Sequence, residues 1–509
     1  MSSNSLRGTF ARAIAALFTG SLVASCSIAQ PAAVDGWPML GGTIHRNMVA
    51  PGAKGIPADW SVKKNATKSI LWRAELGSTT YGGVAVSGGK VFIGTNNDRP
   101  RDPSKTGDKG ALYCLNASDG AFLWQNLHEK LPVPDKNDWP KQGVASTPAV
   151  VGDRLYYVSN RAELVCLDVS GDPKTGKAKE IWKLDMVSEL KVFPCFLAIG
   201  SPLVMGDKVF VVTGHGVDPE THKVPEPTAP SFLAVDRNTG KVAWQDASPG
   251  EAIMEGQWSN PVGFEVGPKA QVAFPGGDGW LYGFDPETGK KLWKFDCNPK
   301  AAMFKPGGRG DKSYIMGTPV FHDGLIYVSV GNNPDDGPGV GHLWCIDPSR
   351  PGVAGPDGVR DLTPPDQKFQ SSGANASSGL VWHLGGALSP KPEDGREVAF
   401  GRSLSTVAVA DGLLYAAELD GYLHCLDAKS GKKHWEHDLK DGTWNSPFVA
   451  DGRVFMGTDS GDLFVFPHGK DKKEPSKIEM EQGLKAPPCV AGGVLYLHNG
   501  TTLFAIGSR

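Results

Sequence analysis

Short apolar runs closed by an acid or an amide recur along the whole chain. Leu112-Tyr113-Cys114-Leu115-Asn116 returns as Leu164-Val165-Cys166-Leu167-Asp168, Phe232-Leu233-Ala234-Val235-Asp236, Leu281-Tyr282-Gly283-Phe284-Asp285, Leu343-Trp344-Cys345-Ile346-Asp347 and Leu423-His424-Cys425-Leu426-Asp427. Leu463-Phe464-Val465-Phe466 and Leu503-Phe504-Ala505-Ile506 are weaker copies, which makes eight. Runs of this length between Gly- and Asp-bearing turns predict strands. In four copies a Gly follows the Asp or Asn after four residues and a Trp after eight, as in Asn116, Gly120 and Trp124. The spacing predicts a hairpin, in which the acid or amide bonds its own backbone and Gly takes the positive-φ position. The turn is stretched between Asp168 and Trp182, and a long insertion separates Asp347 from Trp382.

Two more apolar runs precede each copy, for example Thr147-Pro148-Ala149-Val150 and Leu155-Tyr156-Tyr157-Val158. The repeat is therefore four short strands, and such a unit repeated around an axis is a β-propeller blade. The eighth copy has no Trp strand after it, whereas Ile70-Leu71-Trp72-Arg73-Ala74 is a Trp strand with no copy before it. The pattern predicts an all-β fold, an eight-bladed β-propeller of four-stranded antiparallel blades over residues 69–509. The N-terminal strand would close the ring and hide its edges.

The run Phe284-Asp285-Pro286-Glu287-Thr288-Gly289-Lys290-Lys291-Leu292-Trp293 resembles the W motif of PQQ-type propellers, as does Val235 to Trp244. In that family the Trp docks against the neighbouring blade. The resemblance assigns that structural role to Trp72, Trp124, Trp182, Trp244, Trp293, Trp382 and Trp435. The seventh repeat departs, with Pro467-His468-Gly469 in place of the turn and no Trp. The motif is shared by quinoprotein dehydrogenases, which hold PQQ and calcium on the axis, and by BamB-like outer-membrane assembly lipoproteins. Fold alone does not separate the two.

Composition adds compartment and partners. Gly 65 and Pro 39 suit many tight turns, and a formal net charge of -3 without a basic run leaves nucleic acid no electrostatic footprint. Residues 1–26 read as an export signal: Arg7 and Arg12 precede an apolar stretch ending in Leu22-Val23-Ala24-Ser25-Cys26. That ending resembles a bacterial lipobox with Cys26 as the lipid acceptor, and Ser27 after it favours the outer membrane over inner-membrane retention. The other reading is ordinary cleavage nearby, for example after Ala29. Residues 27–68 read as a linker. The expected product is an exported, periplasm-facing lipoprotein, a monomeric ring tied to the membrane through Cys26.

Candidate chemistry is sparse. Cys114, Cys166, Cys345 and Cys425 share a repeat position filled elsewhere by Ala234, Gly283, Val465 and Ala505 and read as small core residues. Cys195, Cys297 and Cys489 leave room for one disulfide. There is no adjacent Cys-Cys pair and no Cys-x-x-Cys-His haem motif. His434-Trp435-Glu436-His437 has alternating side chains on a strand and reads as a solvated edge, not a zinc site. By repeat alignment Trp258, Asn260, Arg402, Trp444, Asn445 and Lys485 fall near the axis, where two rings and two cations could hold a flat anion such as PQQ. Insertions at 96–110, 215–230 and 349–379 offer loops for recognition. The expected function is a non-catalytic envelope scaffold that binds a protein partner, BamB-like, with no catalytic residue, metal or cofactor. The alternative is a PQQ- and calcium-dependent alcohol or sugar dehydrogenase.

Overall fold

The computed structural model describes Met1 and residues 36–307, 309–365, 377–389 and 395–508. The leader and its Cys26 lie outside these residues. Apart from Met1, everything described belongs to one compact unit, Ala33–Arg509.

Strand pairing among the described residues forms eight four-stranded antiparallel blades of a β-propeller. Blades 1–7 span residues 85–128, 149–185, 203–246, 262–296, 320–387, 408–438 and 448–479. Blade 8 takes Cys489–Ala491, Val494–His498 and Thr502–Ile506 from the end of the chain, and its outer strand is Ile70–Glu75 from near the start. Trp72 pairs with Ala505 and Ala74 with Leu503. The largest continuous core lies at this closure, joining Trp72, Leu503 and Phe504 to Val91 and Tyr113 of blade 1 and to Phe448 and Phe455 of blade 7.

The small repeat position has a clear cause. Cys114 pairs across the ladder with Trp124, Cys166 with Trp182, Ala234 with Trp244, Gly283 with Trp293, Cys345 with Trp382 and Cys425 with Trp435. A Cβ on Gly283 would stand 2.0 Å from Trp293 Cε2, so bulk beside the indole is not tolerated. The ladder shifts register next to this pair in blades 1 to 6 and in blade 8. All seven cysteines among the described residues are buried free thiols, Cys195, Cys297 and Cys489 included. Burial pushes the thiols of Cys114, Cys166 and Cys425 up to about 12, away from thiolate chemistry.

Each Trp then reaches the next blade. The indole N–H of Trp244 donates to Pro286 O at 2.9 Å, that of Trp182 to Arg237 O at 3.1 Å, and that of Trp382 to Ala428 O at 2.9 Å. Across the closure Trp72 donates to Ala117 O at 2.9 Å. Each ring covers the positive-φ glycine of that turn: Gly240 under Trp182, Gly289 under Trp244, Gly431 under Trp382 and Gly120 under Trp72. The exceptions fall where the turn is stretched or interrupted. Trp124 meets the long second turn at Gly171 and its buried N–H has no partner, whereas Trp293 bonds Gln271 of its own blade at 2.8 Å. Arg360 and Asp361, in the described part of the insertion, pair there in parallel with Trp293 and Lys294.

A glycine pair separates packing from backbone strain. Gly289 has φ +69 and a Cβ there would lie 2.6 Å from Trp244 Cγ, whereas Gly412 has φ +76 with nothing within 4 Å. Gly412→Ala is expected to cost about 1 kcal/mol from the left-handed backbone alone, and Gly289→Ala about 3 kcal/mol once indole displacement is added. Urea unfolding of the two variants checks this, and equal losses would mean the indole is not seated on the turn.

The segment expected as a linker is bonded into the ring over its described part. Trp37 exchanges both backbone bonds with Val86, while Pro38, Ile44 and His45 carbonyls accept from Val150, Gly263 and Phe321. The Asn47 side chain bonds the N–H and C=O of Val409, and Val49–Ala50 pair in parallel with Val449 and Ala450. Innermost strands of blades 1, 2, 4, 5, 6 and 7 are thus each met by one or two residues. Arg46 supplies blade 3: its guanidinium donates to Ser201 O and Pro202 O, and also to Pro261 O and Leu40 O, at 2.9–3.1 Å. The segment occupies edge groups that would otherwise face an open channel.

Candidate functional site

The loops entering the innermost strands share a three-residue pattern ahead of a Pro or Val. Its third position is Gly83, Thr147, Ser201, Asn260, Thr318, Thr406, Ser446 and Pro487 in blades 1–8. Here short polar side chains tie blade to blade. Gly83 N donates to Thr147 Oγ1 at 2.8 Å, Thr147 N to Ser201 Oγ at 3.0 Å, Ser201 N to Asn260 Oδ1 at 2.6 Å, and Asn260 Nδ2 to Thr318 Oγ1 at 2.8 Å. Thr406 N continues the belt to Ser446 Oγ at 2.9 Å. Backbone N–H groups that no strand would satisfy are satisfied this way.

Two residues earlier the chain points the same way, because extended backbone alternates sides. That position holds Tyr81, Ala145, Ile199, Trp258, Met316, Leu404, Trp444 and Lys485, and all eight line a cavity of about 680 Å³. Leu40 and Met48 of the threaded segment also line it, together with Trp139 and Phe196 from loops. Tyr81 and Trp444 stack with centroids 5.9 Å apart and planes 18° apart, and Trp139 meets Phe196 edge-on at 5.6 Å. Trp258 lies edge-on to Tyr314 at 5.8 Å.

The charges around this cavity are mostly negative. Glu255, Asp335 and Asp336 line it, with Lys485 as the cation. Lys485 Nζ sits 3.0 Å from Asp459 Oδ1 and 3.8 Å from the centroid of Trp444, so its charge is already engaged. Glu255 accepts from the Tyr314 hydroxyl at 2.7 Å and from Asn333 Nδ2 at 3.2 Å. Burial raises the Glu255 carboxyl above its ordinary range, helped by the charges of Asp336 and Asp335, against those two hydrogen bonds.

Four of the six residues expected at the axis, Trp258, Asn260, Trp444 and Lys485, line the cavity, and two do not. Arg402 is buried away from it, with its guanidinium donating to Gly310 O, Gly337 O and Asp336 O at 3.0–3.3 Å. Asn445 occupies the middle position of the pattern, which faces the opposite side, and its amide holds Leu484 O and Ala486 O at 3.1 and 3.0 Å. Asn260 faces the cavity but is committed to the belt. Tyr81, Glu255, Asp335 and Asp336 were not anticipated. Tyr81 had a signal, the same register as Trp444, but the carboxylates sit in irregular loops that carry no repeat.

An anionic quinone with calcium calls for cations along the wall and convergent oxygen ligands. This wall offers Lys485, already paired, against three carboxylates, and Arg402 is spent on backbone. Among the described residues no group of three or more His, Cys, Asp or Glu is placed to hold a metal ion. Among the described residues, the donor set of this cavity does not fit PQQ and calcium.

The family model described as outer membrane protein assembly factor BamB matches residues 61–131, 108–333 and 372–470. Polyvinylalcohol dehydrogenase of Sphingopyxis sp. (strain 113P3) is 23% identical over 302 residues, which are 54% of this chain and 37% of that protein. The chain thus spans little more than a third of that relative's length. Among solved structures, BamB from Moraxella catarrhalis aligns over 86% of this chain and 97% of its own, at TM-score 0.51 and 14% identity. A europium-containing methanol dehydrogenase aligns over 93% and 98%, at TM-score 0.56 and 14% identity. Likeness at that identity establishes the propeller fold and leaves chemistry to the site. With the family model matching well over half of its length, the chain belongs to the family described as outer membrane protein assembly factor BamB.

Proposed function

We propose that this chain is a non-catalytic binding propeller of the cell envelope, working as a scaffold for a protein partner. The observation that carries the reading is the axial cavity itself. Its lining contains no His, Cys or Arg; Glu255 is held by Tyr314 and Asn333, and Lys485 by Asp459. Such a wall presents a shaped surface with aromatic rings among aliphatic and short polar side chains, and its described residues supply no activated nucleophile and no metal cage. Family membership supports the same direction, since its model is described as an assembly factor. In this reading Cys26 carries a lipid anchor, the ring acts as a monomer on the periplasmic side of the outer membrane, and nucleic acid is not a partner. Among the described residues no helix is long and apolar enough to cross a membrane.

Reconstitution tests it. After incubation with PQQ and calcium chloride and removal of free cofactor, the protein is expected to carry no quinone absorbance and to give no dye-linked oxidation of alcohols or sugars. Stoichiometric uptake with turnover would replace this reading with a quinoprotein dehydrogenase.

A further inference from the structure

The charge of the axial cavity is opposite to that of a site for an anionic cofactor. Glu255, Asp335 and Asp336 line it against Lys485, and Lys485 is matched by Asp459 3.0 Å away. The three carboxylates are close enough to act on one another: beyond its burial, Glu255 is pushed upward by Asp336 and Asp335. Oδ2 of Asp336 is buried with no hydrogen bond of good geometry, while the Asn332 side chain and the charge of Arg402 offset part of the burial of its carboxylate. Burial of a carboxylate oxygen without a well-placed donor is unfavourable, and an incoming cation would relieve both that and the mutual repulsion.

The walls between these charges are aromatic. Tyr81 stacks on Trp444 at one side of the lining, and Trp258, Trp139 and Phe196 complete it. Acidic oxygens beside ring faces are the pairing that a planar, weakly hydrated cation uses best, through hydrogen bonds in its plane and rings on its faces. The volume of about 680 Å³ lies within the roughly 300–1,000 Å³ of ligand pockets. A second cavity of about 870 Å³ adjoins it, sharing Phe196 and Glu255 and lined by Val217, Pro219 and Phe304. Two chambers of mixed apolar and charged lining, with the Glu255 carboxylate at their junction and His222, Lys223 and Glu251 on the second, suit an extended segment carrying one charged side chain.

Resting on the binding reading above, we infer that the axial cavity receives a basic side chain, best an arginine, presented by an extended peptide segment of the partner. The guanidinium lies among Glu255, Asp335 and Asp336, and the neighbouring residues of the segment run over Phe196 into the second chamber.

The test uses the full chain and its own fluorescence, since Trp139, Trp258 and Trp444 line the cavity. The probes are Ala-Ala-Arg-Ala-Ala with blocked ends, the same peptide with citrulline in place of arginine, and n-butylguanidine. The arginine peptide is expected to give a saturable change that weakens from 50 to 500 mM salt. The citrulline peptide should bind at least about tenfold more weakly, as loss of a charge-assisted contact predicts. Asp335→Asn and Glu255→Gln should each weaken the arginine peptide by about tenfold while leaving thermal unfolding and far-UV circular dichroism unchanged. Equal binding of the citrulline peptide, or no effect of either substitution, would overturn the assignment. n-Butylguanidine binding as tightly as the peptide would overturn the peptide half of it. Failure here without PQQ uptake leaves the scaffold reading in place with its partner docking elsewhere, so the two outcomes are separable.

Discussion

A chain shortened to begin at Gly77 is expected to lose its cooperative thermal transition. The truncation removes Ile70–Glu75, the outer strand of blade 8, and bares the edge of Thr502–Ile506. It also removes the indole of Trp72 from Gly120 and Ala117 of blade 1, which leaves blades 8 and 1 joined by fewer contacts, the bond between His498 and Gly82 O among them. With them goes the segment from Trp37 to Ala50 that bonds innermost strands around the axis. An open array exposes two edges and an apolar flank, the condition that invites aggregation. Calorimetry and size exclusion against the full chain give the readout. Adding residues 36–76 back as a separate peptide should restore part of the transition. A sharp transition at the full-length temperature would mean that the ring does not depend on this strand.

Arg46→Met is the point substitution with the largest expected effect, a loss of about 3–5 kcal/mol. Arg46 is fully buried with φ +60, a backbone region that costs about 1–3 kcal/mol for a residue other than glycine. What holds it there is the guanidinium, which satisfies carbonyls of Leu40, Ser201, Pro202 and Pro261 at once. Burial draws its pKa down to about 9, and the group is still protonated at neutral pH. Methionine fills similar volume but leaves several buried carbonyls without donors, each worth about 1–3 kcal/mol, offset in part by the relieved desolvation of the charge. Arg46→Lys should recover little, because one ammonium cannot span blades 3 and 4 as the planar fork does. Denaturant unfolding measures the loss, and limited proteolysis should show new cleavage between residues 41 and 55. Wild-type stability for Arg46→Met would mean the threaded segment is not anchored there.

How much of this was readable in the chain depends on whether a feature repeats. The Leu-x-small-Leu-Asp runs and the Asp-to-Trp spacing give blade number, strand order and closure by the Trp72 strand, because each is set by a local hairpin copied many times. The small residue at Cys114 or Gly283 was legible as core, but its reason, an indole directly across the ladder, needed the register. The axial residues divide by parity. Trp258, Trp444 and Lys485 lie three before a Pro and face the cavity, as does Tyr81 at the same register, whereas Asn445 lies one residue over and faces away. Arg402, placed near the axis by repeat alignment, lies two residues before Leu404, the cavity-facing position of its blade, and its guanidinium turns to backbone carbonyls. Two features carried no signal. Residues 37–50 meet successive blades at uneven intervals of one to six residues, so no hydrophobic period marks them, and Glu255, Asp335 and Asp336 sit on loops that differ in every blade.

The closing strand also sets when this protein can become native. Ile70–Glu75 pairs with Thr502–Ile506, partners more than 400 residues apart in sequence. Val49 and Ala50 likewise wait for Val449 and Ala450. Contacts of such separation make folding slow and late, since the entropy of closing the loop must be met before any contact rewards it. During synthesis, therefore, blades 1–7 can form in order as their residues emerge, while the strand Ile70–Glu75 stays unpaired until the last strand arrives. The interval in which an unfinished ring is open to chaperones, proteases or wrong partners is written into the topology, and it lasts for nearly the whole emergence of the chain.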